Sequence, residues 1–319
     1  ILAFFLGLTL MTYAQAEEEN VSFSASGGFY ETSFPLSLEC LSSLHHVRYT
    51  TNGTTPDSGS RLYEQPLWLD SSLYSHSDIY TILVCPESMW FLPTSVQKCI
   101  VIMAAAFDEN GSLSGKVTTN TYLIKSLGCD THGLPAVSIC ADSLDLFDYE
   151  RGIFVPGAYQ DPSNPEGTGN YYQSGREWER PMNFEFYETD NKGVNQQAGL
   201  RTHGGNGRKL QQKCVKIYAR EEYGKKRFNH PFFETISDSS FKHLILKPFT
   251  SSWTQSGIND YGSNQIASRL DLETLASRPV ALYLNGEYWG IYYIHERPDE
   301  NYLEDHCHAD INDINLRSL

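Results

Sequence analysis

No pair of cysteines in this chain has two residues between its members, which argues against a zinc ribbon and a thioredoxin-type redox site. The glycine, lysine and Ser/Thr spacing of a mononucleotide P-loop is also missing. Basic residues are scarce: 24 Lys and Arg stand against 39 Asp and Glu, and the net charge of −15 excludes a nucleic-acid surface. Beyond the first ten residues no apolar run is long enough to span a bilayer, and there is no internal repeat or low-complexity tract.

What is present begins with Ile1 to Leu10, an almost unbroken apolar run of secretory-signal length. Ala14-Gln15-Ala16 supplies small residues for cleavage after Ala16, and Glu17-Glu18-Glu19 follows. The expectation is a signal peptide over residues 1–16 and a secreted or cell-surface protein, the frame being clipped before Ile1 because no methionine or basic segment precedes it. Export permits disulfides among the seven cysteines, with Cys85–Cys99 and Cys129–Cys140 possible pairs. Spacing leaves the pairing open, and the odd count leaves at least one thiol without a partner in the chain.

A length of 319 residues favours two domains. Residues 21–125 read as short strands and turns: Val47–Thr51, Leu67–Leu69, Tyr80–Val84, Ile100–Phe107 and Val117–Leu123, with an Asn52-Gly53 turn. That spacing predicts an all-β sandwich. Tyr49, Tyr63 and Trp68 have the chemistry to stack on sugars, but core or strand-face positions are the ordinary place for them. In residues 133–319, strands are expected at Leu134–Ile139, Gly152–Val155, Arg180–Glu188, Lys213–Ala219 and Phe241–Leu246. A capped turn is expected at Asp142–Phe147, a crossing helix at Ile258–Ala276 and a hairpin over Val280–Ile294 with an Asn285-Gly286 turn. A further helix starts near Asp299. The polar loop Pro156–Gly175 has no periodicity and is long enough to be functional or mobile.

The chemistry concentrates in Arg201-Thr-His-Gly-Gly-Asn-Gly-Arg-Lys-Leu-Gln-Gln-Lys213, a glycine-rich turn flanked by apolar alternation. A turn that is mostly backbone brings main-chain N–H groups close to an anion, and a lysine on the returning strand adds a point charge. Gly204, Gly205 and Lys213 are therefore the candidate phosphate ligands, with His203 more a brace for the turn than an acid or base. Glu273, on the expected helix, is the carboxylate best placed to pair with Lys213. His295-Glu296 is no zinc-protease motif, because Pro298 breaks the helix. Glu177 and Glu179 lack any feature that would fix them as glycosidase acids. The adjacent His306, Cys307 and His308 cannot easily converge on one ion.

Two resemblances sharpen these expectations. The segment Tyr49-Thr-Thr-Asn-Gly-Thr-Thr-Pro56, with Leu62-Tyr63, Pro66, Ala104–Phe107 and Asn120-Thr-Tyr122, resembles the β-sandwich C-terminal in chitobiases and β-hexosaminidases. From about Gly133 onward the chain resembles the spore coat protein H (CotH) kinase-like proteins. The segments that carry this are Leu134–Ser138, Gly152–Val155, Arg180–Glu185, Ala198–Gly205, Gln212–Arg220, Phe228–Phe232, and above all Arg278–Tyr292 with Glu296-Arg297. The resemblance implies an α+β chain: an N-terminal all-β sandwich, then a protein-kinase-like small lobe of mixed sheet plus helix, truncated at the C-terminus.

It further implies ATP with Mg²⁺ as cofactors and phosphoryl transfer to hydroxyls of secreted or surface proteins. His203, Gly204 and Gly205 would then cover the phosphates, Lys213 would contact them, and Glu296 would sit in the linker near adenine. The family's usual lysine–serine is Lys213-Cys214 here. The catalytic and metal-binding acids of kinase chemistry are expected beyond Leu319. A non-catalytic surface or spore-coat scaffold, and an accessory protein that meets polysaccharide through the N-terminal domain, are the rival expectations.

Overall fold

The structure, a computed structural model, describes residues 20–42, 44–249, 259–270, 272, 274–307, 309–310 and 313–314. The expected signal segment, Glu273 and His308 lie outside the described residues.

The first domain is built on β1 (Gly28–Tyr30), β2 (His46–Thr50), β3 (Arg61–Leu62), β4 (Ile100–Phe107) and β5 (Thr118–Ile124), in the order β1-β5-β4-β2-β3. β1 joins β5 in parallel, and the other pairs are antiparallel. Two short ribbons, Ser22–Phe23 with Leu38–Glu39 and Pro35–Leu36 with Leu67–Trp68, add Leu36 and Leu38 to a core of Leu69, Ile100, Ile102, Ala104, Ala106 and Tyr122. β4 is apolar throughout because both of its faces are covered. Its even-numbered residues enter this core, while Val101 and Met103 pack against Cys140 of the second domain. Tyr49 is buried in the core, whereas Trp68 is 55% exposed.

The second domain is a closed seven-stranded barrel. Its strands are β6 (Ala136–Cys140), β7 (Arg180–Tyr187), β8 (Gly193–Thr202), β9 (Val215–Tyr218), β10 (His243–Pro248), β11 (Ser277–Leu284) and β12 (Glu287–His295), ordered β6-β7-β8-β9-β10-β12-β11. A parallel β6–β11 pair closes it. Alternate residues fill the interior, among them Ile139, Phe184, Phe186, Leu200, Ile217, Leu246, Leu282 and Ile294. Phe228 and Phe232 join that core, with ring centroids 5.1 Å from Phe184 and 4.9 Å from Phe186. Helix α1 (Ser143–Phe147) is capped by Asp142, whose carboxylate accepts from Leu144 N at 2.8 Å. α2 (Asn259–Ala267) precedes β11, and α3 (Glu300–Cys307) follows β12.

Three local expectations change. The mixed sheet expected for the second domain closes into a barrel. Gly152–Val155 forms no ladder; Ile153 and Phe154 instead bond back to the Asp145 and Leu146 carbonyls and drop into the barrel core. Tyr80–Val84 is not a strand either, because the N–H groups of Ile79 and Tyr80 donate to the Glu287 carboxylate at 3.1 and 2.9 Å. That carboxylate clasps the two domains together. A second clasp is Glu185, fully buried, which accepts from Thr121 N at 3.0 Å and from the Tyr187 hydroxyl at 2.6 Å. Cys85, Cys99, Cys129 and Cys140 are free thiols, so neither candidate disulfide is formed. Among the described residues no helix is long and apolar enough to cross a membrane.

Candidate anion site on the outer barrel wall

Residues directly paired across a sheet point to the same face, about 4.8 Å apart from strand to strand. Because Val215 and Ile217 point into the barrel, Lys216 points out. Its register partners form one row around the wall: Arg201, Lys216, Ile245, His295 and Ser277. Arg201 and Lys216 are thus like charges placed face to face, an arrangement that is unfavourable by itself. The next row toward the glycine-rich turn carries His203 and the paired Lys247 and Tyr293.

The Tyr218 ring collects the charge. Lys216 Nζ lies 4.4 Å from its centroid, the Arg220 guanidinium 4.7 Å and the Arg201 guanidinium 5.0 Å. Arg220 is already neutralised by a bidentate pair with Glu179, both bonds 2.9 Å. Glu179 is itself buried and also braced by Arg176 and the Tyr223 hydroxyl, so it is a structural anchor. Arg201 donates to the Gly175 carbonyl at 2.8 Å. Among the described residues, no carboxylate pairs with Arg201, Arg208 or Lys216, and Lys216 is only 1% exposed. Burial, together with the positive charges of Arg297, Arg208, His295 and Arg201, pushes the His203 pKa down to about 4. His203 is therefore neutral at pH 7. A cavity of about 220 Å³ opens on the same wall between Lys247, Tyr261, Ser277, Tyr293 and His295, with Tyr261 stacked on Tyr293 at 5.3 Å.

The glycine-rich turn stands open beside this face. Gly204 and Gly205 are exposed, Gly204 has φ +92°, and a Cβ at either glycine would meet nothing within 4 Å. The turn is wider than a hairpin, with a 3₁₀ turn over Asn206–Lys209 held by Arg208 Nε on the Gly204 carbonyl at 2.5 Å.

Lys213 is where the structure departs furthest from the sequence reading. It precedes β9, and its side chain is 1% exposed. Its ammonium donates to the carbonyls of Val84, Arg208 and Leu210 at 2.5, 2.8 and 2.9 Å and lies 4.2 Å from the Tyr171 ring centroid. All three of its protons are used, so in this arrangement it braces the loop from beneath and offers no charge to a phosphate. Burial lowers its pKa to about 7. Glu296 is equally engaged: its carboxylate accepts Ala276 N at 2.9 Å and meets His306 Nε2 at 2.7 Å, a link that ties α3 to the barrel. Glu273, the expected partner of Lys213, lies outside the described residues. Sequence reasoning missed Lys216, although its place between Val215 and Ile217 gives it the parity of an outward residue between two core residues.

Residues 200–317 match the family model described as CotH kinase protein. That stretch of the second domain is similar to this family. Residues 36–122 match the model described as Fn3 associated, which agrees with an N-terminal β domain. No curated protein matches the chain significantly.

Proposed function

We propose that the outer barrel wall of this CotH-like chain binds the polyphosphate of a nucleotide, ATP, as the nucleotide-binding half of a secreted atypical protein kinase. The observation that carries this reading is Lys216, a buried ammonium opposite Arg201 with no paired carboxylate among the described residues, in a protein of net charge −15. An uncompensated buried cation costs several kcal/mol, and a polyanion between Lys216, Arg201 and Arg208 offsets that cost. The exposed amides of Gly204 and Gly205 add donors without charge. The element order is strand, glycine-rich loop, strand with an outward lysine, short ribbon, a further barrel strand (β10), helix, hairpin, linker and helix. It supports the comparison with a kinase small lobe except for the ribbon and β10, which stand between the lysine strand and the helix.

Bound ATP would supply the transferable γ-phosphoryl group; the residues named here orient its oxygens and neutralise their charge. Among the described residues no group of three or more His, Cys, Asp or Glu side chains gathers to hold a metal ion, so no step is derived through Mg²⁺. The scaffold reading draws on the structural engagement of Lys213 and Glu296. For the first domain, the finer likeness to a chitobiase-type sandwich rests on the Tyr49–Pro56 turn, and exposed Trp68 is the residue that would meet a polysaccharide.

Calorimetric titration of ATP into wild type, Lys216→Ala and Lys213→Ala tests the nucleotide reading. Binding that is lost in Lys216→Ala supports it, and absence of binding to wild type leaves the scaffold.

A further inference from the structure

A Cβ at Gly204, Gly205 or Gly207 would meet nothing within 4 Å, so the loop is held through its other residues. Arg208 donates to the Tyr172 carbonyl at 3.0 Å and Lys209 pairs with Glu166 at 2.8 Å on one side, and the base is fixed on the other. Two of the anchors at that base come from one segment of the N-terminal domain. The Val84 carbonyl accepts from Lys213 at 2.5 Å. Phe91 makes two bonds with the Gln211 side chain: Phe91 N donates to Oε1 at 3.2 Å, and Nε2 donates to the Phe91 carbonyl at 2.9 Å. Lys213 then reaches back into the loop through the Arg208 and Leu210 carbonyls. Beside these contacts, Gln212 Nε2 donates to the Trp289 carbonyl at 2.8 Å and ties the same base to β12. The struts run between the two separately matched parts of the chain, residues 36–122 and 200–317.

We infer that segment Val84–Phe91 of the N-terminal domain sets the conformation of the glycine-rich loop, with Lys213 and Gln211 as positioning residues for the anion site. The inference rests on the anion-site reading above for its functional consequence. Its structural half stands alone: a polar side chain on the loop base replaces a neighbouring strand for the Phe91 backbone, and a buried ammonium replaces packing beneath the loop. Neither residue needs to touch the anion. The first domain is thereby part of the site's construction.

The test compares wild type with Gln211→Leu, which keeps the volume of a half-buried side chain, and with Lys213→Met. Hydrogen exchange is followed at the Arg208 and Leu210 amides, which bond inside the loop to the Gly205 and Gly207 carbonyls. The amides of β9 serve as the internal reference, and inorganic pyrophosphate is the binding probe. The expected result is exchange about tenfold faster at Arg208 and Leu210 in Gln211→Leu, with β9 unchanged. Pyrophosphate affinity should fall about three- to tenfold in the same variant, the scale of one or two lost hydrogen bonds. Unchanged exchange in both variants overturns the inference, as does faster exchange with wild-type affinity. Faster exchange in a protein whose wild type ignores pyrophosphate supports the strut and removes the anion reading instead.

Discussion

Arg201 and Lys216 are register partners on adjacent strands, both directed out of the barrel and both beside the Tyr218 ring, with the lysine buried. The Tyr218 ring offsets only part of the cost of holding two cations this way, one of them buried, so the pair lowers stability. Lys216→Met should therefore raise the unfolding free energy by about 1 kcal/mol while weakening ATP binding at least about tenfold. Chemical denaturation and calorimetry on the same preparation check the two signs together; a destabilised variant with intact binding would refute the assignment.

Lys213 should behave oppositely. Removing its ammonium leaves the Val84, Arg208 and Leu210 carbonyls without their donor, and Lys213→Ala also opens space beside Tyr171. A loss of about 2–4 kcal/mol in stability is expected. A variant as stable as wild type, measured by urea unfolding, would show that the amine is not a structural clasp.

The domain clasp at Glu185 makes stability pH-dependent. Burial raises its pKa from 4.5 to about 7, partly opposed by bonds from Thr121 and Tyr187. A raised pKa means the folded state holds the proton more tightly, so the contribution is full below pH 4.5 and is lost as pH rises to about 7. The shift corresponds to roughly 3 kcal/mol across that window. Glu185→Gln should flatten this part of the stability profile, seen by thermal melts between pH 4.5 and pH 7. An unchanged slope would assign it to other groups.

Gly27 packs where only a glycine fits. A Cβ there would lie 2.0 Å from the Tyr187 hydroxyl and 2.9 Å from the Thr121 carbonyl, both at the domain interface. Gly27→Ala should lower stability by about 1–3 kcal/mol and speed proteolysis between the domains. Mapping the cleavage sites by mass spectrometry decides whether the seam, and not the core of either domain, has opened.

The strands were legible where an apolar run or a period of two met turn residues. Ile100–Phe107, Arg180–Tyr187 and the Asn285-Gly286 hairpin all lie where the pattern puts them, and Asn285 and Gly286 take the positive φ that such a turn needs. Ile79–Thr81 was illegible because its backbone bonds go to Glu287, 208 residues away for Ile79, and no local pattern encodes such a partner. The site was half legible. Glycines signal an open turn by composition alone, whereas the choice between Lys213 and Lys216 depends on which one the strand turns outward.

By itself the sequence determined that two β-rich units exist, that the chain is acidic, and that a glycine-rich turn precedes an apolar-alternating strand. Those follow from composition and from the alternation of side chains, which act over a few residues. Only the tertiary structure decided that the second sheet closes into a barrel through the β6–β11 pair, that Lys213 is spent on three carbonyls, one of them from the first domain, and that Arg201, Lys216 and His295 share one row of wall. The reason is physical: buried charge and strand register are settled by partners distant in the chain, and their energies exist only once those partners have met.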